Sequence, residues 1–248
     1  MFKPRFAICL DGGFLQKVLY LRNQRSTTAA DVLAEVERIK LHPAVADCEL
    51  LRAYYYDAPP AQAKLTNPID GSMMDLQSGE RTKAAMRLQD ELAAAPNFAL
   101  RMGEVRVGGW QVRESTINSF ATKGPRELKS SDLVPNLRQK GVDIRIGLDI
   151  ARLALNDTVR SLVVVTADTD FVPAFKFARR EGIKVYLDTL GRPALPSLIE
   201  HSDLRLSDIP TPDSVKRARQ QRRRERARAR DAVTSNEPDS DVIDADRD

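Results

Sequence analysis

Three aspartates in two short contexts could carry chemistry in this chain. Asp168 and Asp170 follow the apolar run Leu162-Val163-Val164-Val165 in SLVVVTADTDF; Asp11 follows Phe6-Ala7-Ile8-Cys9-Leu10 and precedes Gly12-Gly13, where the glycines permit a tight turn. Unbroken apolar runs, the one from Leu162 rich in β-branched valine, suit strands buried on both faces of a parallel sheet. In open α/β sheets ligands bind beyond the carboxyl ends of such strands. If the two strands lie side by side, three carboxylates converge on one edge. Like charges resist joint ionisation there unless a hard divalent cation takes them as oxygen ligands, so a metal site is the economical reading. The bland reading, in which Asp168 and Asp170 only end a strand and cap the next helix, suits that pair taken alone.

The elements that must position these groups alternate along the chain. After the first strand the pattern predicts a short helix over Gly13 to Leu21 and a longer one from Thr28 to Lys40, capped by Thr27 or Thr28, with Val32, Leu33, Val36 and Ile39 as its apolar stripe. A strand over Cys48 to Tyr56, an excursion from Ala61 to Gly79, a helix over Glu80 to Ala95 and a strand over Phe98 to Val107 follow. A polar insertion is expected from Gln111 to Asn136, then a helix over Leu137 to Asn156 whose first part holds Asp143, where the helix dipole favours an anion. The Ser161 strand, a helix from Val172 to Glu181 ended near Gly182, and a last strand over Ile183 to Leu187 complete the pattern. After Pro196 a short helix reaches His201. The fold class is α/β with a mostly parallel central sheet.

The 248 residues are 42% hydrophobic, enough for a proper core without staples. Two cysteines and two histidines give neither a disulfide framework nor a zinc spacing. The N-terminus runs into a strand without a leader pattern, and no apolar run approaches the roughly 18 residues of a membrane span, so the expectation is a soluble, cytoplasmic protein. The net charge of +4 hides a segregation: nine Lys or Arg against two acids between Thr211 and Arg230, then seven acids against one Arg from Asp231 to Asp248. This predicts a folded domain over residues 1–210 and, over 211–248, a basic arm with an acidic disordered tail.

Taken together, Leu10-Asp11-Gly12-Gly13-Phe14, Lys140-Gly141-Val142-Asp143 and Thr166-Ala167-Asp168-Thr169-Asp170-Phe171 resemble, in order and spacing, the NYN domain family, the PIN-like ribonucleases that include LabA-like bacterial proteins. The resemblance covers roughly Arg5 to Ile209. It implies a PIN-like, Rossmannoid three-layer sandwich and a Mg²⁺- or Mn²⁺-dependent hydrolysis of RNA phosphodiester bonds. It makes Asp11, Asp143, Asp168 and Asp170 the catalytic, metal-binding acids and adds Asp149 as a further ligand. Thr166 stands where a serine often precedes the acidic pair. Phe14 stands where the family commonly has Asn, which leaves a catalytically weak RNA- or protein-binding module as the rival. An aspartyl-phosphate phosphatase would place a second Asp two residues after Asp11, where Gly13 stands.

RNA would be drawn in by Lys140, Arg138 and Arg145 and by Lys123, Arg126 and Lys129 of the insertion, which can neutralise backbone phosphates without reading sequence. Tyr54, Tyr55, Tyr56 and Trp110 could stack unpaired bases. The Arg-rich arm could touch RNA or ribosome nonspecifically. A homo-oligomer is compatible with the sequence, and no membrane partner is expected.

Overall fold

The computed structural model describes residues 3–208; the basic arm and acidic tail expected over 211–248 lie outside them. The chain runs β1 (Arg5–Asp11), α1 (Gly12–Asn23), α2 (Ala29–Lys40), β2 (Glu49–Asp57), the small hairpin β3 (Lys64–Thr66) and β4 (Met73–Asp75), α3 (Glu80–Ala93), β5 (Phe98–Met102), β6 (Glu104–Val112), α4 (Glu114–Lys123), β7 (Leu133–Lys140), α5 (Val142–Leu155), β8 (Ser161–Val165), α6 (Val172–Arg180), β9 (Lys184–Asp188), α7 (Pro196–Glu200) and β10 (Leu204–Arg205). Six strands form one parallel sheet in the order β10-β9-β8-β1-β2-β5.

The unbroken apolar runs have a direct cause in this layering. Successive residues of a strand point to opposite faces, and here both faces are covered. Phe6, Ile8 and Leu10 of β1 pack with α1, α2 and α3, whereas Ala7 and Cys9 pack with α5, α6 and α7. Val163 and Val165 of β8 join the first set, and Leu162 and Val164 the second. Each fully buried Leu or Ile in these layers contributes about 2 kcal/mol. The result is the expected α/β three-layer sandwich.

Local signals fix several helix ends. Thr28 and Asp31 form a reciprocal capping box at the start of α2: Thr28 N–H donates to Asp31 Oδ2 at 2.9 Å, and Asp31 N–H to Thr28 Oγ1 at 3.4 Å. His42, just beyond α2, is buried; its Nδ1 accepts from Ala44 N–H at 3.2 Å, so its Nε2–H donates to Leu206 O at 2.9 Å. That ring is a structural tie at the end of the domain.

Two expectations are corrected where the chain leaves the sheet. The strand predicted over Phe98 to Val107 is broken at Gly103: β5 stops at Met102, and β6 departs to pair antiparallel with β7. A Cβ at Gly103 would stand 2.6 Å from Lys140 O and 2.7 Å from Val142 Cγ2, so only glycine allows the two strands to cross at the base of this arm. The helix predicted over Leu137 to Asn156 begins only at Val142. Leu133–Lys140 is strand, and Gly141, with φ of +76°, turns the chain from strand into α5. Arg138 and Lys140 therefore lie on a β-arm, and the insertion contains α4.

Candidate active site

The strand order reverses direction around β1: the chain moves from β1 to β2 on one side, whereas β8 and β9 build outward on the other. The crevice at the carboxyl ends of β1 and β8 is thus the topological switch point, where open α/β sheets receive ligands. Asp11 ends β1 there and caps α1, its Oδ1 accepting Phe14 N–H at 3.1 Å. Thr166 follows β8, wholly buried, and its hydroxyl donates to Asp11 Oδ2 at 2.9 Å while its Oγ1 accepts Asp168 N–H at 3.1 Å. Asp168 in turn caps a single 3₁₀ turn, its Oδ1 accepting Asp170 N–H at 2.9 Å. One hydroxyl thereby locks the two acidic strand ends together.

Asp143 reaches the same edge from the first turn of α5. Burial raises the Asp11 carboxyl above its ordinary value; the Phe14 N–H and Thr166 hydroxyl oppose that, and the charges of Asp143 and Asp168 add to it. Burial also raises Asp143, assisted by Asp168 and Asp170. Asp11, Asp143, Asp168 and Asp170 therefore share one field. Among the described residues no Lys or Arg forms an ion pair with any of the four.

Four unpaired carboxylates are the donor type a hard divalent cation takes. Their spacing is looser than a closed coordination shell: among the described residues no group of three Asp, Glu, His or Cys side chains is gathered tightly enough to hold an ion. The hydrogen bonds above already engage both oxygens of Asp11 and one of Asp168, while the carboxylates of Asp143 and Asp170 meet no donor among the described residues. The set fits a cation in chemistry, and drawing it around one requires side-chain rotation at the exposed acids.

Asp149 stands apart. It projects from α5 into an interior network, where Oδ2 accepts Arg101 Nε at 2.9 Å and Tyr56 OH at 3.0 Å. Tyr56 also lies 3.8 Å from Cys9 Sγ, whose thiol burial pushes up to about 12. Tyr54, Tyr55 and Tyr56 are all core residues, at 8%, 0% and 0% exposure, so none offers a free face for stacking a base. Trp110 donates its indole N–H to Thr66 O at 2.8 Å, tying the arm to the β3–β4 hairpin.

The basic residues divide. Arg138, Lys140 and Arg145 are exposed on the arm and the first turn of α5, and Lys123 and Lys129 are exposed in the insertion. Arg126 is occupied by Asp132, to which its two terminal nitrogens donate at 2.6 and 2.7 Å. That bidentate partner holds Asp132 well below the usual carboxylate range.

Sequence reasoning passed over Asp57. It ends β2 at 4% exposure, and neutral donors surround it: Gln16 Nε2 and Ala58 N–H at 2.8 Å, Gln89 and Gln139 Nε2 at 3.4 Å, and Tyr55 OH at 3.5 Å. Burial raises its carboxyl. Asp57 thereby gathers α1, α3 and the arm around the carboxyl end of β2. The available signal was its position, an Asp ending a strand beside the Asp11 strand.

Residues 112–204 match the model of the NYN domain. The NYN match is the family expected from the motifs, and it contains Asp143, Thr166, Asp168 and Asp170, whereas Asp11 lies outside it. The match suggests a nuclease- or RNA-related function and goes no further. A crystal structure of a protein of unknown function from Vibrio parahaemolyticus is 15% identical, with a TM-score of 0.46 over 82% of this chain and 91% of that one. No curated protein matches the chain. Among the described residues no helix is long and apolar enough to cross a membrane.

Proposed function

We propose that this protein is a metal-dependent ribonuclease that hydrolyses RNA phosphodiester bonds at the Asp11, Asp143, Asp168 and Asp170 edge. The observation that carries the reading is the Thr166 bridge, which joins two acidic strand ends at the switch point of the sheet, within the field of Asp143. The four aspartates would hold Mg²⁺ or Mn²⁺, which when bound supplies Lewis acidity at the phosphoryl oxygens and charge neutralisation in the transition state.

The chain's own residues set the conditions for that chemistry. The N-terminus of α1 and the Thr166 hydroxyl fix the Asp11 carboxylate against the sheet, and the capping bond to Asp170 N–H fixes Asp168. Asp143 and Asp170 keep their oxygens available at the exposed side. Arg138, Lys140 and Arg145, with Lys123 and Lys129, attract the phosphate backbone without reading sequence. Asp149, held by Arg101 and Tyr56, supports the packing of α5 behind the site.

A binding module on the same fold is the second reading, favoured by the open spacing of the acids. The two separate when purified protein is incubated with single-stranded and structured RNA, in Mn²⁺ or in EDTA, beside Asp168→Asn. Cleavage that needs the cation and is lost in the variant is the result expected of the nuclease. RNA binding without cleavage under every condition overturns it in favour of the module.

A further inference from the structure

The arm made by β6 and β7 has two unlike faces. Cross-strand partners share a face, so Val105 with Gln139, Val107 with Leu137 and Trp110 with Pro135 line one side, and Glu104 with Lys140 and Arg106 with Arg138 the other. The first side is fastened to the body: Gln139 Nε2 donates to Asp57 Oδ1 at 3.4 Å, and Trp110 Nε1 to Thr66 O at 2.8 Å. The Gly103 crossing pins its base. The second side leaves Arg106, Arg138 and Lys140 exposed.

Arg106 and Arg138 are directly opposite one another, with Cβ atoms about 5 Å apart, so two like charges project from one face, a destabilising arrangement that a shared anion would relieve. Among the described residues neither guanidinium has a carboxylate within ion-pair reach; Arg138 Nε meets Asn136 Oδ1 at 3.4 Å. The contrast lies within the same insertion, where Arg126 is closed by Asp132 and Arg113 Nε donates to Ser131 O at 2.9 Å. A planar donor fork suits phosphate oxygens, and two forks side by side suit a polyanion better than an isolated carboxylate. The chain then passes from Lys140 through Gly141 to Asp143 of the acidic edge.

We propose that Arg106 and Arg138, extended by Lys140, form a phosphate clamp that grips the backbone of an RNA strand beside the aspartate edge. The proposal rests on the ribonuclease reading for the kind of nucleic acid, and it does not depend on cleavage.

The test measures binding of a fluorescein-labelled single-stranded RNA of mixed sequence in EDTA, across a salt series, by full-length wild type and Arg106→Gln/Arg138→Gln. The double variant should bind about tenfold or more weakly at about 50 mM salt, with a salt slope smaller by about 1.4, as two lost phosphate contacts require. Its melting temperature should not fall, because a like-charge pair has been removed; a purely structural role would lower it. Arg106→Lys/Arg138→Lys, which keeps the charge, should retain most of the affinity, and it serves as the test if the glutamine variant does not fold. Lys40→Gln, in a surface pair with Glu37 on α2, should bind as wild type does. Unchanged affinity and slope in the glutamine variant overturn the clamp. So does weakened binding of poly-glutamate with RNA affinity untouched, which would assign the pair to an acidic protein partner. Wild type that binds RNA through the clamp yet never cleaves it sinks the nuclease reading alone.

Discussion

Thr166 donates its hydroxyl to Asp11 Oδ2 across 2.9 Å, joining residues 155 positions apart in the chain. Thr166 Oγ1 in turn accepts Asp168 N–H at 3.1 Å, and the Thr166 side chain has no exposure to solvent. Valine matches threonine in shape but offers neither bond. Thr166→Val should therefore cost about 1–3 kcal/mol in urea unfolding, the usual penalty of leaving buried polar groups unsatisfied, and RNA cleavage should fall with it. Thr166→Ser keeps the hydroxyl, loses one methyl at about 1 kcal/mol and should retain most cleavage. Equal effects of the two would show that the hydroxyl does not bridge the strand ends.

Gly12 and Gly147 offer opposite outcomes for the same substitution. A Cβ at Gly12 would stand 2.5 Å from Tyr56 O and 2.9 Å from Tyr55 Cζ, where a buried ring and the β2 backbone cannot yield. Gly12→Ala should destabilise by about 3 kcal/mol and disturb the cap that Asp11 provides. Gly147 lies inside α5 with nothing within 4 Å of an added Cβ. Gly147→Ala should stabilise by about 0.5–1 kcal/mol, since alanine has the higher helix propensity. Chemical denaturation of both variants checks the pair.

The contrast between these elements also explains what the sequence could reveal. β1 and β8 were legible because burial on both faces leaves an unbroken apolar run, and their carboxyl ends are where Asp11, Asp168 and Asp170 stand. The arm was not. Leu137-Arg138-Gln139-Lys140 carries no strong strand signal of its own; its conformation is set by β6, some thirty residues earlier, and by Gly103 and Gly141 at the base. Asp57 was passed over because an acid before Ala58 and Pro59 reads as a strand end, and the glutamines around it come from three separate elements. The family resemblance makes Asp149 a ligand, while its partner Arg101 lies on β5 with nothing local to announce the pairing.

Asp31 gives the pH dependence a defined direction. Two hydrogen bonds from Arg25, at 2.7 and 2.8 Å, and those of the capping box hold its carboxyl at about 2 against an ordinary 3.8. Because the folded value is depressed, ionised Asp31 stabilises the protein above about pH 4 and loses that contribution as pH falls through about 2. Asp31→Asn keeps an acceptor for Thr28 N–H but loses the charged partner of Arg25, and should cost about 0.5–1 kcal/mol at neutral pH. The gap from wild type should narrow below pH 4 and close near pH 2, as followed by urea midpoints across that range.

The contact between Asp149 and Arg101 allows a test of whether Asp149 acts as a structural acid or belongs to the proposed metal set. Their 2.9 Å contact is joined by the Tyr56 hydroxyl at 3.0 Å, and the Asp149 and Arg101 side chains are 17% and 34% exposed. An uncompensated guanidinium in such a place is costly, so Asp149→Ala should destabilise by about 2–3 kcal/mol. Arg101→Met, which leaves the carboxylate without its cation, should be comparably unstable, and the double variant should cost less than the two losses together because neither charge is then stranded. Mn²⁺ affinity measured by calorimetry on the folded variants should be unchanged, whereas Asp11→Asn or Asp168→Asn should reduce it about tenfold or more. A loss of Mn²⁺ affinity in Asp149→Ala equal to that in Asp168→Asn would move Asp149 into the metal set and make its bond to Arg101 an outer support of that site.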